Sequence, residues 1–334
     1  MTSKTDSVPV IDLAFAGSKS TLSADELAAN LKSAMAVSGF FYVRNHAIDP
    51  LLVQAVVEQT HAFFDLPLAA RQAIAIDLHN RGYLGQGEAR MYGATRNDLK
   101  EVFFFGRDLA PDDPDIVAGV PLCAVNQWPD ANLLPLFRPT VVNYLQAAAI
   151  TGSQLLRGFA SLLEAPEDFF ESRYQRPMAR GQLIHYPAPP EQAPDDQFGV
   201  APHTDFGCIT MLYQHTPGLE VQSRSGQWIA VPPIPGTVVI NIGDLLERWS
   251  NGRLPSTKHR VRNLTGASRY SIAVFYDPSA TAVVDPADLI HSKSHAEPGF
   301  APMTAANYIL SRSQKVFAQF DKSISQGVSS SSGM

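Results

Sequence analysis

The stretch PHTDFGCITML, residues 202–212, sets a histidine and an aspartate two positions apart at the mouth of an apolar, β-prone run. In an extended strand the side chains of i and i+2 point to one face, so His203 and Asp205 converge while Thr204 turns away. That spacing permits chelation of an ion, and it equally suits two polar residues where a strand begins. With nine histidines in the chain, one His-x-Asp is expected by chance, so the tripeptide alone does not decide. The β texture continues around it. GQLIHYP, CITMLYQ, LEVQ, QWIAV, TVVINIG, HRVRN and RYSIAVFYD follow one another from residue 180 onward, separated by Pro, Gly and Asn. Closely spaced strands with turn signals indicate a sandwich, barrel or jelly roll. SRSG at 223–226 reads as a hairpin turn between LEVQ and QWIAV.

Upstream the pattern is richer in helices. VPVIDLAF at 8–15 reads as a short strand, and Ser23-Ala24-Asp25-Glu26 has the form of a capping box. Leu27, Leu31, Ala34 and Met35 then repeat at helical spacing, Gly39 stops the pattern, and GFFYVRNH at 39–46 is β-rich. Residues 50–77 look helical with an interruption at Asp65-Leu66-Pro67, and 132–165 make one long helix or two shorter ones. Segment 81–108, glycine-rich and without sustained period, reads as loop, as does the Pro- and Asp-rich 109–131. Residues 304–320 look like a closing helix, and GVSSSSGM is a flexible tail. No long linker divides the chain. The expectation is an α+β protein with a mainly β core and helices wrapped on it: a helix-rich region 1–130, a core 131–325 and a tail 326–334.

The composition bounds the function. A formal charge of -6 argues against a nucleic-acid partner, which would require clustered Lys and Arg. The longest apolar runs, such as TVVINI, fall far short of the roughly 20 residues that cross a bilayer, so no membrane partner is expected. The N-terminus lacks a secretory h-region, and Cys123 and Cys208 form no disulfide framework. A reducing cytoplasm is the expected compartment, with Cys208 a buried thiol.

A third ligand would change the reading of His203 and Asp205. His259, in LPSTKHRVRN, opens another short strand after a turn-rich segment. Two imidazoles and a carboxylate on one side of an ion make the facial triad that suits Fe(II) and leaves positions open for chemistry. Alone, His259 would pass for a surface histidine between Lys258 and Arg260. Beyond it, however, lies Arg269-Tyr270-Ser271, opening an apolar strand. Arg269 and Ser271 share a face, and an inward Arg in such a strand is costly unless an anion meets it. A guanidinium fork holds a carboxylate bidentately, and the serine adds one hydrogen bond.

H-x-D, a distant H, then R-x-S resembles the iron(II) and 2-oxoglutarate dioxygenases, in particular the isopenicillin N synthase-like branch. VPVIDL, GFFYVRNHAI, GYLGQGE and DLKEVFFFG extend the resemblance over nearly the whole chain. It implies a double-stranded β-helix, a distorted jelly roll, with a helix-rich N-terminal region packed on it. It also implies Fe(II), 2-oxoglutarate as cosubstrate and O2, with His203, Asp205 and His259 as iron ligands. Arg269 and Ser271 match the groups that bind the distal carboxylate of 2-oxoglutarate. Tyr186 matches a tyrosine that helps hold the cosubstrate. Ile184 and His185 depart from the family's N-Y-Y-P motif, and His185 is expected to point opposite Tyr186 as a structural residue. His215, His291 and His295 stay unassigned.

The activity implied is oxidation of an unactivated C–H bond of a small-molecule metabolite, by hydroxylation, desaturation or ring closure, with release of succinate and CO2. A carboxylate at 205 occupies the space that related halogenases leave for halide, so halogenation is disfavoured. An Fe(II) oxidase without 2-oxoglutarate, as isopenicillin N synthase is, also has R-x-S. A non-catalytic sensor on the same scaffold and a zinc hydrolase are the other readings, and the hydrolase gives Arg269 and Ser271 no role. For the substrate, family position points to Tyr83, Met91, Tyr92, Phe103 and Phe105, although such residues serve equally as core. Arg90 and Arg96 are candidate carboxylate binders with an ordinary surface role as the alternative.

Overall fold

The β-prone runs pair into two facing sheets. The structure, a computed structural model, describes residues 8–16, 19–190, 192–263, 266–290 and 297–320. His291, His295 and the tail 326–334 lie outside them. In chain order the strands of the two sheets are β1 (Val10–Asp12), β2 (Phe40–Arg44), β3 (Gly82–Leu84), β4 (Glu101–Gly106), β5 (Pro177–Tyr186), β6 (Val200–His203), β7 (Ile209–Gln214), β8 (Leu219–Gln222), β9 (Trp228–Ala230), β10 (Thr237–Ile242), β11 (His259–Val261) and β12 (Arg269–Ser279). The larger sheet has eight strands in the order β1-β2-β10-β7-β12-β5-β4-β3, and the smaller has four in the order β9-β8-β11-β6. Within them only the β1–β2 pairing is parallel. This is the expected jelly roll, a β core with helices.

Both faces of the larger sheet are covered. Helices α1 (Ala24–Val37), α2 (Pro50–Phe64) and α3 (Phe137–Leu162) contribute to the core on one face, where Phe63, Phe137, Leu183, Ile272 and Val274 meet. Phe40, Tyr42, Phe104, Tyr186 and Val239 point the other way, toward Leu219, Val221 and Val261 of the smaller sheet. A strand covered on both sides reads as a continuous apolar run, and β10, TVVINI, is buried at every position.

Local chemistry sets the helix ends. The Ser23 hydroxyl accepts from the Glu26 N–H while the Glu26 carboxylate accepts from the Ser23 N–H, the expected capping box of α1. Helix α2 stops before Asp65-Leu66-Pro67, and a short helix, Leu68–Gln72, follows. The 132–165 pattern forms one helix, α3. Its Gly152 lies against the Tyr276 ring, and a Cβ there would sit 2.5 Å from Cδ1. Two helices close the set, α4 (Asp244–Trp249) and α5 (Ala305–Ser313); α5 is shorter than expected, ending in turns and a 3-10 segment at Ala318–Phe320.

One expectation is corrected. Segment 81–108 carries β3 and β4, and β4 pairs residue by residue with β5 from Glu101↔His185 to Gly106↔Arg180. All six residues of β4 are buried. With both faces apolar, VFFF shows no alternation, and the glycine-rich flank hides the strand. To the strands expected at 8–15 and 39–46, residues 1–130 therefore add two more, supplying β1 to β4 of the larger sheet.

Candidate functional site

His203 ends β6 and His259 opens β11, and the two strands pair antiparallel with these residues as direct partners. Cross-strand pairing thus brings together imidazoles that lie far apart in sequence, with ring centroids 4.2 Å apart. Asp205 lies just past the end of β6, in a loop rather than in the strand the alternation argument assumed. The start of α4 clasps that loop: the N–H groups of Gly243, Asp244 and Leu245 donate to the carbonyls of Cys208, Asp205 and Gly207. Gly207 is required there, since a Cβ would fall 2.0 Å from the Asp277 carboxylate. The Cys208 N–H donates to the same carboxylate, and the Cys208 thiol is fully buried and pushed well up by that burial.

Asp205 Oδ1 lies 3.8 Å from His203 Nε2 and 3.7 Å from His259 Nε2. One donor atom from each residue lies within 4.8 Å of the others, the only such triplet of His, Cys, Asp or Glu among the described residues. Each imidazole is aimed in the same way. His203 Nδ1 lies 2.8 Å from the Ala201 carbonyl and His259 Nδ1 3.2 Å from that of Thr257. A carbonyl only accepts, so Nδ1 carries a proton in both rings and Nε2 is the ring nitrogen left toward Asp205. Burial, aided by the neighbouring His259, pushes the His203 imidazole down to about 3. Burial raises the Asp205 carboxyl, but the two imidazoles and the Asn241 amide outweigh it and hold the group below its usual range. Asn241 Nδ2 donates to Asp205 Oδ2 at 2.7 Å, leaving Oδ1 toward the imidazoles. The donor set, two nitrogens and one oxygen on one side of a common point, fits a ferrous ion with open positions.

Tyr186, Arg269 and Ser271 also meet. Arg269 pairs with Tyr186 across β12 and β5, and Ser271 pairs with Ile184. The Arg269 guanidinium lies over the Tyr186 ring at 4.7 Å, and the Ser271 and Tyr186 hydroxyls are 3.4 Å apart. Arg269 is fully buried, and burial lowers its pKa. It donates from Nη2 to Gln214 Oε1 and from Nε to the Pro217 carbonyl, while Nη1 finds no acceptor. Among the described residues no carboxylate lies within ion-pairing distance of it. A buried guanidinium without an acid fits an exogenous carboxylate such as that of 2-oxoglutarate.

A cavity of about 920 Å3, its open mouth included, lies between the sheets and contains His203, Asp205, His259 and Tyr186 in its walls. The expected substrate residues are mostly elsewhere. Phe103 and Phe105 alternate with Phe104 along β4 and point into the helix-side core, so Phe104 takes the cavity face. Tyr83 is buried on that same far side, its hydroxyl donating to Glu101. Tyr92 is 77% exposed. Of the five, Met91 alone lines the cavity. Arg90 is exposed, and Arg96 pairs with Asp196 at the surface. His185 points opposite Tyr186 as expected, holding Glu101 at 2.7 Å and stacking on Tyr270. His215 lies near His61, away from the triad.

Several contributors went unread in the sequence. An Asn inside TVVINI costs stability unless something receives it, which was the available signal for Asn241. Gln214 and Lys100 also end or precede apolar runs, but polar residues at strand ends are common enough to give no signal.

The model of the 2OG-Fe(II) oxygenase superfamily matches residues 178–278, and that of the N-terminal region of the non-haem dioxygenases in morphine synthesis matches 8–131. A 2-oxoglutarate-Fe(II) type oxidoreductase of Emericella nidulans is 34% identical over 80% of this chain and 78% of its own. The crystal structure of a full-length Neurospora crassa protein in complex with alpha-KG and thymine superposes with a TM-score of 0.79 at 28% identity, covering 93% of this chain and 98% of that one. That of JOX2 with 2OG, Fe and JA does so with a TM-score of 0.74 at 26% identity, over 91% and 85%. The chain belongs to the 2OG-Fe(II) oxygenase superfamily and is a dioxygenase that works with iron and 2-oxoglutarate.

Proposed function

We propose that the protein oxidises an unactivated C–H bond of a small molecule bound in the cavity between the sheets, most simply by hydroxylation. His203, Asp205 and His259 hold Fe(II), and Arg269, Ser271 and Tyr186 hold the distal carboxylate of 2-oxoglutarate. The observation that carries this reading is Arg269, a fully buried cation with an unsatisfied Nη1 and no acid partner among the described residues, in the same barrel as the His-Asp-His cluster. When bound, ferrous iron with 2-oxoglutarate and O2 supplies an oxidant that breaks a C–H bond while 2-oxoglutarate is converted to succinate and CO2.

The chain's own part is geometric and electrostatic. The Ala201 and Thr257 carbonyls hold Nδ1 of both imidazoles, so Nε2 is the atom each ring offers to the ion. Asn241 fixes which oxygen Asp205 offers. Gln214 orients the Arg269 fork from below. Apolar side chains from both sheets, Phe40, Phe104, Leu219 and Val261 among them, keep water away from the reacting centre.

The test is stoichiometry. The reading predicts that substrate oxidation requires 2-oxoglutarate and releases one succinate for each product molecule. Full-rate oxidation without 2-oxoglutarate would overturn it in favour of an oxidase of the isopenicillin N synthase type, and binding without any turnover in favour of a sensor.

A further inference from the structure

Lys100 precedes β4 and shares the cavity-facing parity of Val102 and Phe104. It lines the cavity with the His-Asp-His cluster, and only 5% of it is exposed. Its ammonium pairs with Asp98 Oδ2 at 3.1 Å. Asp98 is itself tied to the iron-side strand, its Oδ1 accepting from the Ala201 N–H at 3.0 Å. An ammonium has three N–H donors, and Asp98 is the only polar partner found for this one among the described residues. Lining the cavity with a single acid partner, the ammonium has hydrogens free to meet an acceptor that enters there.

The charge balance says what kind. The other cavity cation, Arg180, is also matched, donating to Asp277 Oδ2 at 2.7 Å. Each cation already has its acid, and Arg90 and Arg96 lie outside the cavity. With Arg269 reserved for the distal carboxylate of 2-oxoglutarate, no other unpaired cation among the described residues lines the cavity to receive a substrate carboxylate or phosphate. Much of the cavity wall is apolar, with Met91, Phe104, Leu212, Phe275 and Phe317, and Asn80, Gln182 and Ser313 are among its polar members.

We propose that Lys100 orients the primary substrate by donating to an uncharged carbonyl-type oxygen, and that the substrate class is a neutral, largely apolar small molecule bearing such an oxygen. This rests on the reading of the cavity as a dioxygenase site and adds the specificity determinant to it.

The experiment is anaerobic calorimetry on the full chain loaded with Fe(II) and 2-oxoglutarate, with benzamide, benzoate and toluene as probes of like size. Benzamide binds tightest in the wild type. Lys100→Met weakens benzamide about tenfold, the loss of one charge-assisted hydrogen bond, and leaves toluene unchanged. Lys100→Gln, whose amide still donates, recovers part of the affinity. Because Lys100→Met leaves Asp98 bare, the Asp98→Asn/Lys100→Met pair serves as the folded control and shows the same loss. Tighter binding of benzoate than benzamide, benzamide binding unaffected by Lys100→Met, or no benzamide binding by the wild type overturns the inference. The visible absorbance of the Fe(II) and 2-oxoglutarate pair, recorded in the same samples, separates the two failures. If it is present without a benzamide preference, only the substrate inference falls. If it is missing in the wild type, the dioxygenase site itself falls.

Discussion

At Asp205 a single amide decides which oxygen faces the imidazoles. Asn241→Ala frees Oδ2 and lets the carboxylate rotate, so Fe(II) affinity should fall by about 10- to 100-fold in a ferrous-ion titration. Arg269→Leu removes the buried cation proposed to meet the distal carboxylate of 2-oxoglutarate. Its 2-oxoglutarate affinity should drop about tenfold to a hundredfold while Fe(II) binding alone is retained. Behind the sheet, Glu101 gives a pH signature unconnected with the iron. Burial raises its carboxyl, but hydrogen bonds from His185 and Tyr83 and the Arg71 charge hold it below the usual glutamate value. A carboxyl depressed in the folded state contributes stability above its unfolded pKa and loses it as pH falls through the folded one. Denaturant unfolding from neutral pH down to about 3 should therefore show an acid-side loss of stability that Glu101→Gln lessens. The grouping of His203, Asp205 and His259 was legible through the H-x-D spacing together with the family resemblance, and the shared face of Arg269 and Ser271 through the period of a strand. Gln214 was not, because its partner Arg269 comes from another strand, and Lys100 was not, because the register that turns it toward the cavity belongs to β4, which itself went unread.

Among elements, the seven runs named after 180 announced themselves through turn residues and β-branched residues, and each proved to be in a sheet, whereas β6, which ends at His203, was not among them. Strand β4 did not, since its two faces enter different cores and both are apolar. That misreading also explains why Phe103 and Phe105 were expected at the cavity. Along β4 the faces alternate, so without the register Phe103 and Phe105 cannot be told from Phe104. Helix α3 offers a test of packing against propensity. Gly152→Ala should gain about 1 kcal/mol of helix propensity. The new methyl, however, meets the buried Tyr276 ring, and such overpacking costs about 1–3 kcal/mol. Packing should win, and urea unfolding should show Gly152→Ala as less stable than the wild type.

Across the whole molecule, the division of labour follows the larger sheet. Its helix side is a dry core that holds the strands in register, and its other side faces the smaller sheet across the cavity. No helix among the described residues is long and apolar enough to cross a membrane. The N-terminal strands complete the larger sheet and bring Phe40, Lys100 and Phe104 to the same chamber as residues from the C-terminal half. The most direct check is an anaerobic titration of 2-oxoglutarate into the Fe(II)-loaded protein, followed by visible absorbance, for the wild type and for His259→Ala. A new absorption band in the wild type that vanishes in the variant is the predicted result. An undiminished band in His259→Ala would contradict the account.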